Sequence, residues 1–276
     1  MVEQLLKRVH IGAKRLNHSI LSRPFARNVG ALTVANGVRV VLSFVQGILV
    51  ARWLGPELYG VAALVMSVPS IVYTFFDARS AEASVKFLSE FDAKGERERA
   101  LAMCKAGYAV DFVIAGMALL VVLLLAPWAA KSVVKRPETG WLIILYGSAF
   151  LPRALTGTSY AVLATLGRFP TIAFVNMLTD ILRIGLVVSL IALGWEVAGV
   201  VWGNAIAMAV TGLLYGASAY GLAKSQWGRS WLFADWAYLK GRWKEILAFL
   251  VFNDLNALLG MIPKQLDVVI LGYFRN

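Results

Sequence analysis

Residues 106–128, AGYAVDFVIAGMALLVVLLLAPW, carry one charge, Asp111, in an otherwise apolar and aromatic run. A helix rises 1.5 Å per residue, so about 20 such residues cross the roughly 30 Å hydrocarbon layer of a bilayer. Comparable runs recur along the chain and predict seven membrane helices, over 29–50, 60–78, 106–128, 141–163, 170–193, 197–222 and 247–272. The runs are continuous rather than alternating over about ten residues, which argues against a membrane β-barrel. The fold class is therefore all-α, a polytopic membrane helical bundle.

Composition agrees. Hydrophobic residues make up 59% of the 276 and charged residues only 16%, against about 25% in a soluble domain. The net charge of +11 would raise nucleic acid as a partner in a soluble chain. Here the basic residues sit at the ends of apolar runs, so the partner is the lipid bilayer and not nucleic acid. They also orient the chain, because cytoplasmic loops collect Lys and Arg. With the N-terminus inside, the cytoplasmic side holds most of the basic residues, among them Lys7, Arg8, Lys86, Arg97 and Lys105, while the outer connections hold Arg52, Lys131, Lys135 and Arg136. A multi-pass membrane protein with a cytoplasmic N-terminus is expected.

Four parts are predicted. Residues 1–27 form a basic amphipathic cytoplasmic N-terminus, with Leu5, Val9, Leu16 and Ile20 at helical spacing; the segment reads equally as a solvated tail and is too polar for a signal peptide. Residues 28–222 form a six-helix lobe. Residues 223–246 form a cytoplasmic linker, in which Leu232, Trp236, Leu239, Trp243 and Ile246 predict one interfacial helix over 230–248. Residues 247–276 hold the seventh span. Within the sixth, Gly199, Gly203, Gly212 and Gly216 make two small-xxx-small pairs suited to close helix approach.

Ionisable residues inside spans are the best functional leads, since each opposes insertion by about 2.5–3.5 kcal/mol. They are Arg39, Asp111, Arg153, Asp180, Arg183, Asp254, Lys264 and Asp267. Plainer readings stand beside them: Asp180 and Arg183, three apart on one face, neutralise one another, and Asp111 reaches water from the cytoplasmic end of its span. Arg39 and Arg153 have no acid three or four residues away. Arg153 follows Pro152 and Lys264 follows Pro263, and prolines break the helix ladder where a wet cavity or protein can compensate; Pro69 predicts a further bend. The excess of cations at mid-membrane predicts a lumen for an anionic ligand, with phosphate the natural match to guanidinium.

No G-x-x-x-x-G-K-[ST], H-E-x-x-H or G-x-S-x-G pattern occurs. Cys104 stands alone, and His10 and His18 have no Cys or acid cluster beside them, so neither a metal site nor a cofactor is predicted. The chain reads as a non-enzyme.

The first hairpin, ARWLGPELYG (51–60) followed by VAALVMSVPS, resembles the lipid-linked oligosaccharide (O-antigen, Wzx-like) flippases of the multidrug, oligosaccharidyl-lipid and polysaccharide exporter superfamily. The matching residues are Arg52, Leu54, Gly55, Pro56, Glu57, Tyr59 and Gly60. ASVKFLSEFDAKGERERALAM is similar to that family's second-to-third connection, and QLDVVILGYF to the start of its second lobe, through Asp267, Ile270, Leu271, Gly272 and Tyr273. The hairpin is also read as a well-made turn, Gly55-Pro56 flanked by headgroup-level Trp53 and Tyr59; the resemblance implies a gate at the outer mouth.

The resemblance further implies export of an undecaprenyl-diphosphate-linked repeat unit in polysaccharide biosynthesis by alternating access. Arg39, Arg153, Arg183 and Lys264 would contact the cargo, and Asp180, Asp254 and Asp267 are candidates for ion coupling. Because the family has two six-helix lobes, one lobe plus the first helix of a second is expected here, with a missing segment or separate chain as partner supplying the rest. The alternatives are a cation-coupled multidrug exporter, which needs acids to dominate the cavity, and a membrane polymerase or glycosyltransferase acting on the same lipid.

Overall fold

The computed structural model describes residues 23–76 and 80–250, and every described element is helical. The elements are α1 (Arg23–Phe76), α2 (Ser80–Ala93), α3 (Arg97–Ser132), α4 (Gly140–Ser148), α5 (Phe150–Arg153), α6 (Leu155–Thr165), α7 (Phe169–Ala192) and α8 (Glu196–Trp227), with short 3-10 turns at 137–139, 231–233 and 236–239. Among the described residues, four helices are long and apolar enough to cross a membrane: Gly37–Phe76 of α1, α3, α7 and α8. The chain is a multi-pass membrane protein.

The connection expected over 51–59 is reduced to the turn expected at Gly55-Pro56. Helical geometry runs through α1 except at Gly55, whose φ of 75° and ψ of 167° suit a residue without Cβ. Pro56 then opens the second arm, where its missing N–H costs nothing. An ideal Cβ on Gly47 would lie 4.0 Å from the Tyr59 hydroxyl, whereas twelve residues of straight helix would separate them by about 18 Å. The helix is therefore folded into two arms. Pro69 causes no break: the dihedrals stay helical across it. Residues 23–27, expected in the N-terminal segment, already belong to α1.

The fourth run is not one helix but three pieces. Pro152 lacks the N–H that would close the ladder, and the segments α4, α5 and α6 meet at Ala149 and Ala154. The glycines of α8 accept this irregular rod. A Cβ on Gly212 would collide with the Pro152 carbonyl oxygen, and one on Gly216 would lie 3.2 Å from Leu155. On the same helix, Gly203 and Gly199 seat α7: their Cβ atoms would fall 2.6 Å from Val187 Cγ2 and 3.1 Å from the Leu190 carbonyl carbon. Both glycine pairs thus do what their spacing predicts, each against a different neighbour.

At one end of the bundle α2 buries Ser80, Ala83, Ser84, Phe87, Leu88 and Phe91, an i, i+3, i+4, i+7 pattern that leaves one face for α3, α6 and α8. Phe87, Leu88 and Phe91 are fully buried with Leu101, Cys104, Trp227, Leu239 and Ile246; each of these large side chains contributes about 1.5–3 kcal/mol when withdrawn from water. The single interfacial helix expected over 230–248 is instead two 3-10 turns, a turn at 240–242 and a helix from 243 to 250. Asp235 caps the second turn by accepting from the Ala237 amide at 2.9 Å, and Gly241, at φ 91°, reverses the chain. The apolar stripe is split accordingly: Leu239 and Ile246 are buried, while Leu232 and Trp236 are exposed and Trp236 stacks on Trp243. Lys105 Nζ donates to the Ala234 carbonyl at 2.9 Å and ties this segment to α3. The remainder of the seventh span, with Asp254, Lys264, Asp267 and the QLDVVILGYF motif, lies outside the described residues, as do 1–22.

Two predictions follow from this packing. Gly212→Ala should lower the unfolding temperature in detergent, because overpacking against backbone costs about 1–3 kcal/mol; Gly221→Ala, with open space around it, should not lower it and should raise it slightly, Ala being the better helix former by about 0.5–1 kcal/mol. Glu90, outside the membrane-crossing helices, accepts from Lys94 Nζ at 2.6 Å and from Arg242 at 3.1 Å to each oxygen. These bonds, Lys94's foremost, hold its carboxyl below the usual glutamate value. That contribution is complete above the unfolded value of about 4.3 and is lost as pH falls through the lowered folded value. Glu90→Gln should therefore cost stability at pH 7, by under about 1 kcal/mol for a pair this exposed, and in a thermal-unfolding series the gap to wild type should close as pH falls through the lowered folded value.

Candidate functional site

A cavity of about 490 Å³ lies among α1, α4–α6, α7 and α8, within the range of about 300–1,000 Å³ that holds small organic ligands. Each helix offers it one face. Arg39 and Ser43 come from α1; Tyr146, Arg153 and Tyr160, at steps of seven, come from the broken rod; Asn176, Thr179, Asp180 and Arg183 come from α7. From α8 come Asn204, Met208, Thr211 and Tyr215. Steps of three, four and seven place side chains on one side of a helix, so the cavity is where four polar stripes meet.

Among the described residues, its charges are three guanidinium groups against one carboxylate. Asp180, with its side chain only 7% exposed, holds two of the three: Oδ2 lies 3.0 Å from Arg39 Nε and Oδ1 lies 3.2 Å from Arg183 Nη2. The pairing of Asp180 with Arg183 expected from their spacing is present. The bridge to Arg39 crosses from α7 to α1 and has no signature in sequence distance. Arg183 Nη2 also donates to Ser43 Oγ at 3.1 Å. Arg153 has no carboxylate partner among the described residues; its Nη1 lies 3.3 Å from Met208 Sδ and its guanidinium 5.8 Å from the Phe150 ring centre. The three described arginines singled out by sequence thus share one chamber.

Several polar side chains of the lining bond to their own helix, as Thr179 does to the Val175 carbonyl, Asn204 to Val200 and Thr211 to Ala207. Arg183 Nε and Thr156 Oγ1 differ: both are buried without a hydrogen-bond partner among the described residues. A buried donor left unmet costs about 1–3 kcal/mol, so these atoms mark where a ligand oxygen would be stabilised.

Asp111 is not part of this chamber and does not reach water. It is 6% exposed and accepts from Ser80 Oγ, from the Thr158 amide at 3.1 Å and from Thr158 Oγ1 at 2.7 Å. It ties α2 and α6 to α3, a structural role. The outer-hairpin motif also stands apart: Glu57 pairs with Arg136, Trp53 and Tyr59 are exposed, and Gly55 makes the fold between the arms. Arg52, Leu54, Pro56 and Gly60 lie within or beside that fold and not in the cavity.

Against known families, residues 25–276 match the one described as Polysaccharide biosynthesis protein. The chain belongs to this family. Its role therefore lies in polysaccharide biosynthesis, in a membrane-embedded protein whose central cavity is polar and cationic. No curated protein and no solved structure matches it.

Replacing Asp180 by Ala would leave two guanidinium groups in one chamber without their shared counter-charge, so it should destabilise more than Arg39→Ala, by about 1–3 kcal/mol once the exposure of Arg39 is discounted. Thermal unfolding of the two purified variants checks the order.

Proposed function

We propose that the protein is a flippase that carries a lipid-linked oligosaccharide, an undecaprenyl-diphosphate-linked repeat unit, across the inner membrane by alternating access. The observation that supports this reading is the cationic balance of the cavity: three arginines against one acid, with Arg153 free of any carboxylate among the described residues. Guanidinium donors match phosphate oxygens in pairs. Each has five N–H donors, so a single carboxylate shared by Arg39 and Arg183 consumes few of them. A cation-coupled drug exporter would require the opposite balance.

In this mechanism the N-terminus and α2 face the cytoplasm, where the repeat unit is assembled. Arg153 receives the diphosphate, Arg39 and Arg183 flank it, and Lys264 serves the same role from a second lobe. Asp180 holds the flanking arginines apart and oriented while the cavity is unfilled, and with Asp254 and Asp267 it is a site for ion coupling. The hairpin at Gly55 with its Glu57–Arg136 pair closes the outer mouth. The protein moves its cargo without making or breaking a covalent bond.

In cells lacking the chromosomal gene, Arg153→Ala should reduce surface polysaccharide by about tenfold or more, since charge-assisted bonds contribute about 1.5–3 kcal/mol. Lipid-linked units should accumulate in the inner leaflet. Arg153→Lys should recover part of the activity. Wild-type polysaccharide from normally expressed Arg153→Ala would refute the assignment, and accumulation of single units in the outer leaflet would point to a polymerase.

A further inference from the structure

We propose that Tyr160 and Asn176, the latter positioned by Tyr215, form a sugar-recognition subsite at the α2 end of the cavity. The inference rests on the cargo being a diphosphate-linked glycan, and it assigns the two parts of that cargo to different ends of one chamber.

The lining is graded. On α7, Asn176 precedes Arg183 by seven residues, about 10 Å along the helix axis. The short turn at 166–168 joins α6 to α7, and Tyr160, at the middle of α6, and Asn176, in the third turn of α7, both neighbour the Tyr215 hydroxyl. The charged lining residues begin at Asp180 and Arg39, one helical turn further along, and continue to Arg183. The α2 end is therefore aromatic and amide-bearing, the charged residues follow it, and Tyr146 and Asn204 lie beyond them at the other end. Thr156, whose hydroxyl is buried without a described partner, lies between Arg153 and Tyr160 on the rod.

The chemistry of the α2 end suits a sugar better than a phosphate. Tyr215 donates its hydroxyl to Asn176 Oδ1 at 3.0 Å. That bond occupies the acceptor of the carboxamide and turns its nitrogen, with two N–H donors, to other partners such as sugar hydroxyls. Tyr160 keeps 37% of its surface exposed, although it stands on a helix at the bundle's centre. The negative face of an aromatic ring packs against the weakly positive C–H face of a pyranose. Tyr215 is itself 2% exposed, so it acts through Asn176 and is a positioning residue. In the cargo the first sugar is bonded directly to the diphosphate, so adjacent sugar and phosphate subsites are what such a ligand requires.

The test compares two lipids on purified protein in detergent: undecaprenyl diphosphate, and the lipid-linked oligosaccharide that accumulates in cells lacking this gene. Wild type should bind the glycan-bearing lipid about tenfold more tightly than the bare one, the worth of one or two net hydrogen bonds. Tyr160→Ala and Asn176→Ala should each erase that difference and leave affinity for the bare lipid unchanged. Tyr215→Phe should erase part of it, while Arg153→Ala should weaken both lipids alike. Unfolding temperatures within error of wild type show that the variants are folded. The subsite is overturned if the glycan adds nothing to wild-type affinity, or if the variants lose both lipids equally. In the first case, Arg153-dependent binding of bare lipid leaves the transport reading standing. Failure of wild type to bind either lipid overturns both.

Discussion

A charge inside a bilayer persists only where something polar meets it, and in this protein Asp180 meets two. One oxygen holds Arg39 on α1 and the other holds Arg183 on α7. Taking ions out of water costs several kcal/mol each, so the carboxylate makes the chamber tolerable as well as cationic. It neutralises one positive charge and leaves the lining with an excess of two. One of the two belongs to the Arg39–Asp180–Arg183 group and the other to Arg153, whose neighbours are a thioether and an aromatic ring. Soft, weakly polar contacts of this kind hold a guanidinium without satisfying it.

The chamber exists because the helices around it are packed unequally. Glycines on α8 bring α7 and the broken rod close on two sides, and the buried polar knot of Asp111, Ser80 and Thr158 fixes α2 to α3 and α6. Between these tight contacts the polar stripes of four helices face one another. Membrane helices gain no hydrophobic benefit from association, so shape at small residues and hydrogen bonds between helices decide where they touch and where they stand apart.

Much of this was legible in the sequence because the bilayer imposes length and polarity so strictly. The bounds of α7 and α8 fall close to the apolar runs at 170–193 and 197–222, and the glycine spacing on α8 correctly signalled close approach. Arg39, Arg153 and Arg183 could be picked out because a charge in an apolar run has a high energetic cost. What sequence did not yield was pairing between helices. Nothing in spacing links Asp180 to Arg39, and Asp111 was read as water-seeking because its partners, Ser80 and Thr158, are neutral and distant in the chain. The uncharged lining was also missed, although Asn204, Thr211 and Tyr215 repeat at helical intervals; a polar stripe on an apolar helix was the available signal. The stripe over 230–248 was real in composition, but Gly241 and the cap at Asp235 divided it, since local turn chemistry overrides periodicity.

The contact between Gly212 and the Pro152 carbonyl restricts how this bundle can deform. Backbone sits against backbone there, and on α8 Met208, one turn before Gly212, carries bulk that would strike the same carbonyl if the helix slid to bring it there, whereas Gly216, one turn after, would not. Axial sliding between α8 and the broken rod is therefore opposed in that one direction, while tilting about the contact remains open. Arg153, adjacent to that fulcrum, would be reoriented by a tilt far more than it would be carried away, so its guanidinium would turn while keeping its place in the chamber.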